Sequence, residues 1–215
     1  MKIHEVFNKV QEELKNDSRV MGIFLTGSLA RGTETKYSDL DVIVLSCINC
    51  VDEKVVEGVP VEVHFNTLES IKERFRVDAP SLYLYKYGKV IYDPSNVFEG
   101  LIQEANCLLE NYVVSEERKA YLKHKIGALK EKLTASLNLK DHQKINYLMH
   151  NNFKVIVESI FALNSLPLPP QGLTYEIFNT LSKKPSDTWL TDIINLKGIE
   201  QGEYALEIID FIEKA

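Results

Sequence analysis

The pattern of apolar residues in this 215-residue chain changes once, near Pro94, and this change constrains the fold more than any other feature. Before Pro94, short apolar runs at 20–26 and 40–45 alternate with helical spacings, as in a sheet that is packed against helices. After Pro94, the spacing is helical almost throughout. We therefore predict an α/β (α+β) domain with a mixed β-sheet over residues 1–95, followed by an all-α helical bundle over residues 96–215.

The predicted elements follow from the apolar spacing and from the turn-forming residues between the runs. In the first domain, Thr67 is placed as the N-cap of a helix that runs through Phe75, and the polar segment 47–58 is read as a turn region. The remaining elements there are helices at 3–14 and 79–87 and strands at 20–26, 40–45, 61–65 and 89–92. In the second domain, helices are predicted at 97–113, 116–137, 141–163, 175–181, 188–196 and 202–212.

Composition and charge exclude several classes of protein. Apolar residues make up 45% of the chain, so a packed core is available and a disordered chain is excluded. The net charge is −6 and no basic stripe is visible along the sequence, so we expect small substrates as partners and no nucleic acid. Three cysteines form no disulfide framework, the first residues do not resemble a signal peptide, and no apolar run is long enough for a membrane helix. We therefore expect a cytoplasmic protein without a membrane partner.

One short segment carries most of the chemical information. Gly27 and Ser28 end the first predicted strand in a small-residue turn, whose N–H groups can approach a phosphate closely, and a helix starting at Leu29 would direct its N-terminus to the same phosphate. Asp39 and Asp41 follow after ten further residues. On a strand, their side chains point the same way about 7 Å apart, and they repel one another unless a cation lies between them. Mg²⁺ suits such oxygen ligands and keeps positions open for phosphate.

A third carboxylate is expected on a neighbouring strand. Glu62 lies between Val61 and Val63 in a predicted strand, and a carboxylate on such a strand is costly to bury without a metal or solvent nearby. His64 shares the face of Glu62, although a histidine at such a position more often packs than binds a ligand.

These residues together resemble the nucleotidyltransferase superfamily of the DNA polymerase β type. The resemblance covers about residues 20–93. It rests on the Gly27-Ser28 turn, the ten-residue interval, Asp39-x-Asp41 and the third acid at Glu62. The sequences Gly-Ser-Leu-Ala-Arg-Gly and Ser-Asp-Leu-Asp are most similar to bacterial small-molecule nucleotidyltransferases, including antibiotic adenylyltransferases.

The resemblance implies a mechanism with defined roles. The three acids Asp39, Asp41 and Glu62 would hold two Mg²⁺ ions, and the turn at Gly27 and Ser28 would bind the β and γ phosphates of ATP or another NTP. A substrate hydroxyl would attack the α-phosphorus and pyrophosphate would leave, which makes the chain an enzyme that transfers AMP or another nucleoside monophosphate. Glu62 would bind metal, accept the proton of the hydroxyl, or do both.

Other assignments stay open at this stage. Arg31 is placed either at the phosphates or in an ion pair at the helix end. The acceptor is expected to bind between the two domains. We expect it to be a small hydroxylated molecule, for example an aminoglycoside-like polycation. The alternative is a toxin–antitoxin nucleotidyltransferase, fused to or partnered with a helical ribonuclease module of the HEPN type, that acts on a protein or RNA. Arg118 and His124 have the loose spacing of that ribonuclease motif. The sequence does not predict an oligomeric state.

Overall fold

The computed structural model describes residues 2–215, which divide into two compact units, residues 2–111 and residues 112–215. The first unit contains a mixed five-stranded sheet with helices, and the second unit is helical. The predicted fold class is therefore confirmed. None of the helices within the described residues is long and apolar enough to span a bilayer.

The sheet of the first unit has the strand order β3-β4-β2-β1-β5. Strand β2 is central, pairs parallel with β4 and antiparallel with β1, and the other two pairings are antiparallel. The strands are β1 (Val20–Leu25), β2 (Leu40–Ser46), β3 (Cys50–Val56), β4 (Val59–Asn66) and β5 (Lys89–Tyr92). The helices are α1 (Lys2–Lys15), α2 (Gly27–Arg31), α3 (Leu68–Val77), α4 (Leu82–Tyr87) and α5 (Val97–Glu110), with a 3₁₀ turn at Ala79–Ser81.

One face of the sheet is apolar over its central strands and packs against α1. Alternate residues point to opposite faces of a strand, so Leu40, Val42 and Val44 of β2 share this face. They form one buried cluster with α1, whose apolar residues Ile3, Val6, Val10 and Leu14 recur at helical spacing, and with residues of β1 and β4. The intervening residue Asp41 therefore points to the opposite face.

The opposite face is covered in part by aromatic packing. Phe24 of β1 stacks on Tyr85 of α4 and on Phe98 of α5, with ring centroids 5.3 and 5.1 Å apart. Phe98 is fully buried. Helix α5 follows Pro94, where the sequence pattern changes, yet it belongs to the first compact unit, which extends to Asn111.

The predicted turn region at 47–58 is wrong, because residues Cys50–Val56 form strand β3. This strand is at the edge of the sheet and its side chains are mostly exposed, so it has no apolar alternation for a sequence pattern to detect. Backbone pairing with β4 is what makes it a strand. The predicted cap at Thr67 is confirmed, since its hydroxyl accepts a hydrogen bond from the Ser70 N–H at 3.2 Å.

The second unit is built on two long helices and a third that packs on both. Ser115 and Asp141 cap the two long helices, as their side chains accept hydrogen bonds from the N–H groups of Arg118 and Lys144. The helices are α6 (Glu116–Asn138), α7 (His142–Leu163), α8 (Gln171–Ile177), α9 (Trp189–Asn195) and α10 (Gly198–Lys214), with a 3₁₀ turn at Phe178–Thr180.

Candidate active site

The turn after β1 lies directly against the side chain of Asp41. The Thr26 N–H donates to the Asp41 carbonyl oxygen at 3.1 Å, which continues the pairing of β1 with β2. Gly27 has a φ of +71°, and a Cβ atom at this position would lie only 2.1 Å from Asp41 Oδ2. Both the backbone conformation and the space therefore require glycine here.

Helix α2 begins at Gly27, two residues before the predicted start at Leu29. It is one short turn that ends at Gly32, whose φ of +74° is the left-handed conformation typical of a helix end. The Ser28 hydroxyl oxygen is buried and has no hydrogen-bond partner among the described residues. A buried hydroxyl without a partner is destabilising, so Ser28 is a candidate for contact with a polar ligand.

Two of the candidate acids are neighbours on the face of the sheet that α1 does not cover. Asp41 and Glu62 are register partners on the parallel strands β2 and β4, so they are neighbours on that face. Asp39 stands one residue before β2 begins and is exposed. On the far side of Glu62, its register partner on β3 is Glu53, which is exposed. Three neighbouring strands thus carry a row of carboxylates, of which the sequence-based prediction missed Glu53.

Burial and neighbouring charges both act on Asp41. Burial, followed by the negative charges of Asp39 and Glu62, raises the pKa of the Asp41 carboxyl from 3.8 to about 6, against the opposing effects of His64 and Arg31. The structure therefore brings the three predicted acids within electrostatic range of one another. Arg31 is close enough to favour the charged form of Asp41 and is half-buried.

Glu62 makes a direct contact with His64. The Nε2 atom of His64 lies 2.5 Å from Glu62 Oε1, across the two-residue spacing that places both side chains on one face of β4. Within residues 2–215, no group of three or more His, Cys, Asp or Glu side chains is arranged as a ready-made metal site. Asp39, Asp41 and Glu62 are thus near one another without converging on a single point.

In the second unit, Arg118 and His124, the residues of the suggested ribonuclease motif, are surrounded differently from one another. Arg118 donates two hydrogen bonds of 2.7 Å to Glu158, and its guanidinium group also lies over the ring of Tyr121. His124 is exposed on the same helix.

The raised pKa of Asp41 predicts how stability depends on pH. A carboxyl that binds its proton more tightly in the folded state stabilises the fold at low pH, and this contribution is lost as the pH rises from about 4 to about 6. We expect Asp41→Asn to raise the free energy of unfolding at pH 7.5 by about 1–2 kcal/mol, less than the full pKa shift implies because the group is partly solvated. Urea unfolding at pH 4.5 and 7.5, with a chelator present, measures this.

The matched control for that experiment is Asp52→Asn, which removes the same charge. Asp52 is exposed on β3 and pairs in register with Val63, so it points to the other face of the sheet. We expect no comparable gain in stability for this variant. An Asp41→Asn protein as stable as wild type at both pH values would contradict the raised pKa of Asp41.

Comparison with known proteins finds a family match within the first unit. Residues 7–81 match the family model of the nucleotidyltransferase domain, a stretch that contains Gly27, Ser28, Asp39, Asp41 and Glu62. This match supports a transferase activity of the nucleotidyl-transfer type. No curated protein matches the sequence.

Two solved structures are similar to the chain at low identity. One is a nucleotidyltransferase-like protein from Exiguobacterium sibiricum 255-15, with a TM-score of 0.45 and 8% identity over 99% of this chain and 75% of that chain. The other is a toxin–antitoxin structure with AMP-PNP, with a TM-score of 0.37 and 17% identity over 54% of this chain and 95% of that chain.

Proposed function

We propose that the protein transfers a nucleoside monophosphate, AMP from ATP, to a hydroxyl group of a small molecule in a Mg²⁺-dependent reaction that releases pyrophosphate. The observation that carries this proposal is the contact between the turn at Gly27 and the carboxylate of Asp41. It joins a turn suited to phosphate with a carboxylate suited to a metal ion. A cytoplasmic reaction is in keeping with the few cysteines of the chain.

The residues at the site fit a hard divalent cation. The candidate ligands Asp39, Asp41 and Glu62 offer oxygen atoms, and burial, followed by the charges of Asp39 and Glu62, raises the pKa of Asp41, whose ionised form a cation would stabilise. The unpartnered Ser28 hydroxyl beside them is a fitting donor to a phosphate oxygen. When bound, Mg²⁺ neutralises the charge that develops on the phosphates as pyrophosphate leaves.

The chain's own groups then have distinct tasks in the reaction. The backbone N–H groups at the start of α2 and the Ser28 hydroxyl bind and orient the triphosphate, with Arg31 adding positive charge near Asp41. The acceptor oxygen forms a bond to the α-phosphorus while the bond from that phosphorus to the bridging oxygen breaks. The hydroxyl proton passes to a nearby base, for which Glu62 is the candidate.

The charge of the sheet face favours a cationic acceptor. Glu53 extends the row of carboxylates from Asp41 and Glu62 to the edge strand, where it is exposed. An aminoglycoside-like compound, which has both hydroxyl and ammonium groups, would match this negative face. The carboxylate row therefore supports such an acceptor over a neutral or anionic one.

The test is a screen of the full-length protein for pyrophosphate release. Each of ATP, CTP, GTP and UTP, labelled on the α-phosphate, is combined with aminoglycosides, with uncharged hydroxylated compounds and with the protein and RNA of a cell extract. Each reaction is run with and without a chelator of Mg²⁺. We expect chelator-sensitive release with ATP and a polycationic acceptor. Transfer of label from ATP only to a protein or RNA partner, with no small molecule modified, would instead favour the toxin–antitoxin alternative.

A further inference from the structure

The positive charge of this acidic protein is concentrated in one pair of helices. Residues 116–163, which span α6 and α7, contain nine lysines and arginines against five acidic residues, a net charge of +4. The whole chain carries −6, so the remaining residues carry −10. The composition of the whole chain does not reveal this separation of charge. The positive charge lies on α6 and α7, which pack against each other as antiparallel helices.

Ion pairs to neighbouring helices show how α6 is oriented. On one flank, Lys130 binds Asp210 and Glu213 of α10 at 2.7 and 2.6 Å. On the other flank, Arg118 binds Glu158 of α7. Residues at helical spacing from Arg118 share its flank, and these are Tyr121, Lys125 and Lys132. All three are exposed beside α7.

Helix α7 adds a matching set of residues. Counting back from Glu158 in steps of three or four gives Lys154, Asn151, Tyr147 and Lys144, all of them exposed. Because Arg118 and Glu158 join the two helices, these residues lie beside the exposed flank of α6. We call the resulting surface the lysine–tyrosine face, defined by Tyr121, Lys125, Lys132, Lys144, Tyr147 and Lys154.

The positive charge of this face is not neutralised by the protein itself. Across residues 2–215, none of its four lysines forms an ion pair with a carboxylate, in contrast to Lys119 and Lys130 on the same helix. The one acidic residue in the row, Glu158, is occupied by Arg118. The face therefore presents four ammonium groups without a carboxylate partner to a negatively charged ligand.

Two exposed aromatic rings lie among these lysines. Tyr147 is 68% exposed, and Tyr121 is 42% exposed with Arg118 and Lys125 over its ring at 4.6 and 5.5 Å. An acidic protein partner could bind through the lysines alone and would not need the exposed rings. Exposed rings between cations are the arrangement that binds the bases and the backbone of a single strand together.

We propose that the lysine–tyrosine face binds single-stranded nucleic acid, with the lysines on the phosphates and Tyr147 stacked on a base. This replaces the expectation of no nucleic-acid partner, which was based on the charge of the whole chain. It goes beyond the proposed nucleotidyl transfer and does not depend on it. Four phosphate contacts predict that log K falls with log salt at a slope of about −2 to −3.

Fluorescence anisotropy of labelled 20-mers with the full-length protein tests the proposal. Oligo(U) and oligo(dT) show whether the ligand is RNA or DNA. A 20-base-pair duplex and poly-glutamate serve as competitors, which test for binding by charge alone. We expect micromolar binding of at least one single strand at low salt. Lys125→Glu combined with Lys154→Glu should weaken it more than tenfold and flatten the salt slope, and Tyr147→Ala should weaken it about tenfold.

The matched control makes the same change of charge elsewhere in the unit. Lys123→Glu combined with Lys183→Glu alters two exposed lysines outside the face and should weaken binding less than threefold. Circular dichroism checks the folding of each variant, and Tyr147→Ala tests the face even if the charge reversals destabilise the protein. The proposal would be overturned if no single strand bound, or if the control pair lost as much affinity as the face variants. It would also be overturned if Tyr147→Ala bound as well as wild type and poly-glutamate competed as well as nucleic acid.

Discussion

Asp41→Asn should abolish nucleotidyl transfer while leaving the fold more stable at neutral pH. The amide removes the charge that would hold a cation beside the phosphates. Because the amide is neutral, it also avoids the cost of burying a charge and relieves the repulsion with Asp39 and Glu62. We expect kcat/KM to fall at least about a thousandfold, which corresponds to about 4 kcal/mol of transition-state stabilisation. Asp39→Asn should have a similar effect on transfer. Pyrophosphate release with the best nucleotide and acceptor of the screen measures both.

The control for this loss of activity is again Asp52→Asn. The variant has the same charge change on the same sheet, but the side chain points away from the row of carboxylates. It should retain activity within about twofold, as expected for an exposed substitution away from the site. Near wild-type transfer by either Asp39→Asn or Asp41→Asn would rule out the metal-binding role of these acids.

Gly27→Ala should sharply reduce nucleotide binding. The added methyl group would lie 2.1 Å from Asp41 Oδ2, so either the turn or the carboxylate must move, and the positive φ adds about 1–2 kcal/mol of backbone strain. Because both displaced groups belong to the candidate site, we expect at least about tenfold weaker binding of a non-hydrolysable ATP analogue with Mg²⁺, or about 1.4 kcal/mol. Titration calorimetry measures this directly.

Gly32 provides a control with almost the same backbone strain. Its φ is +74°, close to the +71° of Gly27, but a Cβ atom there meets nothing within 4 Å. Gly32→Ala should therefore destabilise the protein by a similar conformational strain and leave nucleotide affinity almost unchanged. If both variants lost affinity equally, strain in α2 rather than the contact with Asp41 would be responsible.

The sequence predicted those elements of the first unit in which one face is buried in the core, because burial requires apolar residues at regular intervals. Leu40, Val42 and Val44 alternate with Asp41 along β2, and this alternation identifies both the strand and the residue that departs from it. The match of residues 7–81 to the nucleotidyltransferase domain overlaps the segment of about residues 20–93 that carries the resemblance. The roles of the individual site residues remain predictions.

Features that depend on distant partners could not be predicted. Strand β3 has exposed, charged side chains, so nothing in its own sequence revealed its pairing or the position of Glu53 beside Glu62. Helix α5 was predicted as a helix, but its packing in the first unit depends on the stacking of Phe98 on Phe24. The raised pKa of Asp41 likewise depends on burial, which single-sequence patterns do not measure.

The strand order has a consequence for the way the protein folds. Strands β3 and β4 are joined by a tight turn at Glu57 and Gly58, both with positive φ, and so form a hairpin from residues that are close in sequence. The parallel pairing of β2 with β4 joins residues about twenty positions apart, and such non-local contacts form more slowly. Asp41 and Glu62 are neighbours only through that parallel pairing. The hairpin of β3 and β4 by itself therefore carries Glu53 and Glu62 but not the candidate site.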